Sequence, residues 1–195
     1  LRRSDGRAEQ VIDLPGTYSL TAYSQEELIA RDVIVEEKPD VVVDIVDASN
    51  LERNLYLTAQ LMEMRAPLVI ALNMVDLAER RGLRIDAERL GRLLGAPVIP
   101  TIGHRGVGIE QLREACLARV DDDAPPLPSE ITYGLAVDEA LDRLSARLAQ
   151  SKPRGEPFEP RWLAIKLIEG DEDAQRRLRE ALGDDADNFL AEVER

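Results

Sequence analysis

Three runs of β-branched and aliphatic residues constrain the fold most: QVIDL (10–14), DVVVDIVD (40–47) and PLVIALN (67–73). Each is nearly continuous in apolar character instead of alternating, as expected of parallel strands covered by helices on both faces. A shorter run, APVIPT (96–101), supplies a fourth strand. Helical patterns fall between them. NLERNLYLTAQLMEM places Leu51, Leu55, Thr58 and Met62 on one stripe, with Ser49 or Asn50 as its cap. DAERLGRLLG opens on Asp86, a good N-cap, and closes on Gly95, a good stop. GIEQLREACLARV comes after the fourth strand. Strand and helix alternating in this order predict an α/β fold, a mainly parallel, doubly wound sheet with helices on both faces.

At the front, Asp5-Gly6 between two short extended arms predicts a hairpin leading into the first strand. The acidic, proline-rich DDDAPPLP (121–128) reads as a linker. Beyond it every pattern is helical. Val137, Leu141, Leu144 and Leu148 line one face of YGLAVDEALDRLSARLAQ, and Pro160 suits the first turn of the next helix. DEDAQRRLREALG runs from an Asp171 cap to a Gly183 stop, and DDADNFLAEVER makes a last short helix. The expected division is an α/β domain over residues 1–121, a linker over 122–129 and a small all-helical domain over 130–195.

The net charge of −13 argues against a nucleic-acid partner, because phosphate contacts need clustered Lys and Arg. The Arg-rich stretches ERRGLR and DAQRRLRE have acidic neighbours and read as solvated helix faces. Cys116 is the only cysteine, so no internal disulfide forms and the chain reads as cytosolic. It shares a helix side with Ile109 and Leu112, which suits a small buried hydrophobe. Trp162 lies on an apolar helix stripe and is expected in the core. No signal peptide is present, and the longest apolar run, PLVIAL, is too short to span a bilayer. Any membrane part would lie outside this chain. One histidine and one cysteine, far apart, make a poor ligand set for a metal ion.

In open α/β sheets, ligands bind beyond the carboxyl ends of the strands. Three such ends carry polar loops here: Asp13-Leu-Pro-Gly16, Asn73-Met74-Val-Asp76 and Thr101-Ile102-Gly103-His104. Their order is that of the third, fourth and fifth motifs of a guanine-nucleotide-binding domain. Asp13 can hold Mg²⁺ through a water, since this ion keeps several waters and takes few carboxylates directly. Gly16 lets its N–H approach a γ-phosphate and lets the loop swing when that phosphate leaves. Asp76 can accept the ring N–H and the exocyclic amine of guanine together, a pair of donors that adenine lacks. Asn73 can donate its amide to base or loop carbonyls, and the 101–104 turn offers an N–H to guanine O6. Singly, each motif has a local explanation: a turn carboxylate at Asp13, a helix cap at Asp76. Together, in order and about 60 residues apart, they predict a nucleotide site that includes Met74, Thr101, Ile102, Gly103 and His104. The polar run 17–27 offers little apolar area to pin it down, so Asp13 and Gly16 are expected to be the hinge of a nucleotide-sensing switch that runs from DLPGTYSL into TAYSQEELIARD.

VIDLPGTYSLTAYSQEE, DIVDASNLERNLYLTAQLMEM, VIALNMVDLAERRGLRID and VIPTIGHRGVGIEQL together resemble the cytosolic G domain of ferrous iron transport protein B, FeoB. RWLAIKLIEGD resembles part of the helical domain that comes after it in that family. The resemblance implies GTP and GDP as ligands with Mg²⁺, GTP hydrolysis, and a helical domain in the role of a nucleotide-dissociation inhibitor. K⁺ enters by family resemblance alone. It also implies a location at the cytoplasmic face of the inner membrane, tethered to the transmembrane region of the same transporter that moves Fe²⁺; a homo-oligomer is a further partner kept in view. Two departures stand out. The chain contains no G-x-x-x-x-G-K-[ST] loop and no switch I segment, so it is expected to be a piece starting where those elements end. Gly103 stands where many relatives have serine, a change that preserves a backbone contact and removes a side-chain one. Thr17 occupies the place of the water-orienting glutamine of Ras-like enzymes and is too short for that task, so no residue is assigned as catalytic. His104 reads as an exposed loop histidine.

Two rivals keep different classes open. One is a nucleotide-free G-domain-like interaction module, favoured only by the missing phosphate loop. The other is a soluble assembly GTPase acting on ribosomes or tRNA, which the acidic balance weakens.

Overall fold

The computed structural model describes residues 10–21, 24–121, 131–151, 159–183 and 185–193. Among them, three parallel strands form one sheet in the order β1 (Val42–Asp47), β2 (Leu68–Asn73), β3 (Val98–Pro100). β1 pairs with β2 along its whole length, from Val42 opposite Leu68 to Asp47 opposite Asn73. Parallel neighbours need crossovers. These are α2 (Leu51–Glu63) between β1 and β2, and α3 (Val75–Arg80) with α4 (Ala87–Leu94) between β2 and β3. α1 (Gln25–Asp32) precedes β1 and runs into a π-turn at Val33–Glu37, and α5 (Ile109–Asp121) comes after β3. The parallel sheet with flanking helices is the architecture expected, and so are the starts and stops at Asp86, which accepts from Arg89 N, and Gly95, which is left-handed.

β2 is central, with Leu68 through Leu72 buried on both faces. β1 differs from expectation: Asp44 and Val46 face inward, while Val43 and Ile45 are exposed on the other face. Gln10–Leu14 also departs from the sequence reading, since it forms no strand. A strand needs a neighbour to satisfy its amides. None among the described residues pairs with this stretch, and Val11 and Ile12 remain 79% and 51% exposed. Asp13 therefore does not sit at a strand end. The Asp5-Gly6 hairpin and the linker residues 122–129 lie outside the described residues. α2 is also capped differently. Asn50 makes no side-chain cap bond, and the carboxylate of Asp47 instead accepts Ser49 N at 2.8 Å, closing a 3₁₀ turn before the helix.

The second lobe is all helical among the described residues: α6 (Leu135–Ser151), α7 (Pro160–Ile168), α8 (Glu172–Leu182) and α9 (Asp185–Val193). Pro160 does open α7 behind a Glu159 cap, and Asp171 caps α8. Leu141, Leu144 and Leu148 pack with Trp162, Leu178 and Phe189 in one core, whereas Val137, at the outer end of the α6 stripe, is exposed. Cys116 is half-buried, and burial raises its thiol pKa.

The two lobes share a joint that the sequence does not suggest. Arg31, at the end of α1, is fully buried. Its guanidinium donates to Asp171 at 3.1 Å and to Asp173, and lies 5.6 Å from the Trp162 ring centre. Arg177 reaches back from α8 to Asp32 at 2.7 Å, so the DAQRRLRE stretch is not simply a solvated face. Burial works to raise the Asp173 carboxyl, but Arg176, Arg31 and Arg177 outweigh it and hold the group below the usual carboxylate range. Removing one partner of such a buried pair costs about 3–5 kcal/mol. Nearby, Met64 packs against both cores. Burial pushes Glu63 beside it up to about 7, against the attraction of Lys166.

Candidate functional site

The loops after β2 and β3 assemble into one unit. β2 ends at Asn73, and Met74 then takes a left-handed conformation (φ 59°), which costs a residue with a Cβ about 1–2 kcal/mol. The turn is held because Leu77 N and Ala78 N both donate to Met74 O, at 3.0 and 3.1 Å. This sharp reversal puts Asp76 in the first turn of α3, beside the strand end. Asn73 Oδ1 accepts Gly103 N at 2.9 Å and Thr101 Oγ1 at 3.3 Å. The residue type suggests that Asn73 donates its amide to base or loop carbonyls; its carbonyl oxygen is engaged as well, accepting from the donors that the 101–103 turn presents. Thr101 is buried, and its N–H donates to Leu72 O at 2.8 Å, fixing the loop to β2.

Gly108 closes the same loop. Ile102 bridges Val107, and the chain doubles back so tightly that a Cβ at Gly108 (φ 80°) would lie 2.2 Å from Pro100 O. Gly103 is different: a Cβ there would meet Asn73 Oδ1 at 3.5 Å, an ordinary contact. Asp76 makes an ion pair with Arg80 one turn on, at 3.7 Å, and Arg80 is mostly exposed. His104 is exposed, as expected for a loop histidine. A groove of about 700 Å³ beside α3, lined by Val75, Ala78, Glu79, Leu83, Arg84 and Ile85, contains none of the expected site residues.

Asp13 and Gly16 are not part of this unit. Both are exposed, and among the described residues neither makes a hydrogen bond to it. The stretch after them is anchored to α2, not loosely attached. Leu20 is 1% exposed and donates its N–H to Gln60 Oε1 at 2.6 Å; Tyr18 lies under the Arg53 guanidinium, 4.0 Å from ring centre to carbon. Glu27 gathers the Ser19 and Thr21 hydroxyls and Ser24 N, while Ser24 caps α1 in a reciprocal capping box. The expectation that little apolar surface pins residues 17–27 therefore holds for its polar members and fails at Leu20. Sequence reasoning misses Gln60 and Arg53 because a glutamine and an arginine on a helix carry no signal of their own.

α2 is itself fixed to the sheet by a buried polar pair. Thr58 Oγ1 donates to Asp44 Oδ2 at 2.5 Å. Burial pushes Asp44 up to about 6 in spite of that bond, which lowers it. No described helix is long and apolar enough to cross a membrane.

Two family models match the chain. "Ferrous iron transport protein B" covers residues 2–116, and "FeoB cytosolic helical domain" covers residues 133–195. Among curated relatives, the Fe(2+) transport protein A/Fe(2+) transporter FeoB fusion protein of Porphyromonas gingivalis is 41% identical over 90% of this chain, and the Fe(2+) transporter FeoB of Salmonella typhimurium is 42% identical over 83%. The chain spans 21% of the length of each. Among solved structures, a GDP-bound mutant of S. thermophilus NFeoB superposes with a TM-score of 0.80 at 32% identity, over 93% of this chain and 68% of that one. The FeoB G-domain from Methanococcus jannaschii is 53% identical with a TM-score of 0.57, over 60% of this chain and 79% of that one. The α/β lobe falls within the range of the first family model and the helical lobe within that of the second, and the chain belongs to the ferrous iron transport protein B family as its G domain and cytosolic helical domain.

Proposed function

We propose that this chain is the guanine-nucleotide-binding part of a ferrous iron transporter, with residues 1–121 as the G domain, 122–129 as linker and 130–195 as the helical domain that responds to it. The observation that carries the proposal is the Asn73 clamp on Thr101 and Gly103, with Asp76 one helical turn away. Asp76 accepts the ring N–H and exocyclic amine of guanine, exchanging its weak partner Arg80 for two donors. The Gly103 N–H is already committed to Asn73, so guanine O6 falls to the next amide of the turn, at His104. Ile102 and Met74 border the base.

The donor set on the phosphate side suits an ion that keeps its waters. Asp13 would hold Mg²⁺ through water, and among the described residues no group of three or more His, Cys, Asp or Glu gathers to form a cage. When bound, Mg²⁺ would neutralise phosphate charge; Gly16 would offer its N–H to the γ-phosphate. GTP hydrolysis belongs to the complete protein, located at the cytoplasmic side of the membrane through which Fe²⁺ passes, and no residue here is given the catalytic role. Calorimetry of the complete protein tests this: GDP should bind at least about 100-fold tighter than ADP, the discrimination expected of a buried fork left unpaired by the wrong base. Equal affinity for the two would overturn it.

A further inference from the structure

Arg53 and Gln60 lie seven residues apart on α2, two helical turns, and so share one face. The stretch Tyr18–Leu20 runs along that face and is held at both ends, by the Arg53 guanidinium over the Tyr18 ring and by Gln60 Oε1 on the Leu20 N–H. The bond to Leu20 is buried, with Gln60 only 4% exposed. It also dictates which way the amide faces, because only the oxygen can accept. The Nε2 group is then buried with no partner among the described residues. A buried donor left unmet raises the energy of an arrangement. The grip is thus firm in one place and costly in another, which are the properties of a catch that can open.

We propose that Gln60, assisted by Arg53, is a positioning residue that latches the Asp13–Leu20 segment to α2 and sets how readily it moves to meet a γ-phosphate. The proposal rests on the guanine-nucleotide function of the site. Asp13 and Gly16 are exposed in the latched arrangement, and a γ-phosphate that recruits the Gly16 N–H would draw the segment off α2. Opening the latch should therefore favour the triphosphate state. Glu27 holds the Ser19 and Thr21 hydroxyls to α1, a second tether that the variants at Gln60 and Arg53 leave in place.

The test is made in the complete protein. Gln60→Met keeps volume and removes both the acceptor and the unmet donor. Amide exchange across residues 17–21 should rise about 10-fold with GDP bound, the factor for one lost net hydrogen bond, with no change in α7. The affinity for a non-hydrolysable GTP analogue relative to GDP should rise by about 5- to 10-fold. Arg53→Ala, on the exposed side and safe for folding, should shift the same ratio in the same direction by about 2-fold. A purely structural role for Gln60 would lower the melting temperature and leave the ratio alone. An unchanged or reversed ratio in both variants overturns the latch while leaving nucleotide binding intact. If exchange across residues 14–27 in the unsubstituted protein is the same with GDP, with the analogue and with neither, the segment does not sense nucleotide, and the latch falls with it. If Gln60→Met does not fold, the Arg53→Ala ratio decides.

Discussion

The loops at Asn73–Asp76 and Thr101–Gly108 and the stretch at Asp13–Leu20 carry motifs of similar strength, yet the fold treats them in opposite ways. The first two are joined to each other and to β2 by hydrogen bonds, a left-handed Met74 and a glycine packed against backbone. The third leaves its motif residues in the open and fastens the residues after them, Tyr18 and Leu20 to α2 and Ser19 to α1. The physical difference is the neighbour each has. Asn73 and Thr101 end strands that pair, so their positions are inherited from the sheet. Asp13 ends no strand. A base-recognition loop profits from being built in advance, since rigid donors and acceptors lose less ordering entropy on binding. A phosphate-sensing loop must retain a choice of positions.

Four experiments probe that contrast. The largest effect is expected from Gly108→Ala. The added Cβ meets Pro100 O in a conformation that side chains avoid, at a combined cost of about 3 kcal/mol or more. GDP affinity should fall over about 100-fold, while exchange across 17–21 stays as it was; equal disturbance in both places would show that the two regions are not independent. Next is Asp76→Asn, which turns one leg of a charge-assisted fork into a donor facing a donor. The loss should be about 2–3 kcal/mol, or roughly 30- to 150-fold in GDP affinity, with xanthosine nucleotides gaining relative to guanosine ones. Unchanged GDP binding by calorimetry would remove Asp76 from the site.

The third concerns the platform beneath the anchored stretch. Asp44 has its folded pKa raised to about 6 from an ordinary 3.8, so the fold prefers it protonated. Its contribution is fully present below pH about 4 and is lost as pH rises through about 6; Glu63, raised to about 7, extends the same decline. Asp44→Asn keeps an acceptor for Thr58 and should raise stability at pH 8 by about 2 kcal/mol, with little gain at pH 4. Parallel denaturation curves at the two pH values check this, and an equal gain at both would mean that Asp44 does not titrate in this range. The smallest effect belongs to Gly103→Ser. A Cβ there makes only ordinary contact with Asn73, so stability and GDP affinity should move by less than about 0.5 kcal/mol. A large loss would mean that the turn needs the glycine backbone.

Much of this is readable in the residues. β2 and β3, the capped α4, α7 and α8, and the leucine stripe of α6 come from periodicity and caps, which are local properties. So does the presence of loops after β2 and β3. The features that escape a linear reading depend on partners distant in the chain. Among the described residues, Gln10–Leu14 has a strand's composition without a neighbour to pair with, and β1 has an apolar face without a cover. Asn73 belongs to the loop its motif indicates, but the acceptor role of its oxygen is not written in the motif, because such a bond depends on what the opposing turn presents. Arg31, Arg53 and Gln60 give no sign of their roles. Charged and amide residues on helices are usually solvated, and only the fold reveals which of them are tied to distant partners.

The Arg31 joint ties the histories of the two lobes together. Its guanidinium and its acidic partners are about 140 residues apart in the chain and face one another in a buried interface. A relative that lost Asp171 and Asp173 together with the arginine could be equally well packed, but the halves of two such proteins would not be interchangeable. A chimera taking residues 1–121 from this chain and its helical lobe from such a relative would bury an unmatched positive charge. The reverse chimera would leave Asp171 without its cation, while Asp173 would keep Arg176 and Arg177, so drift in one lobe is licensed only by a matching change in the other.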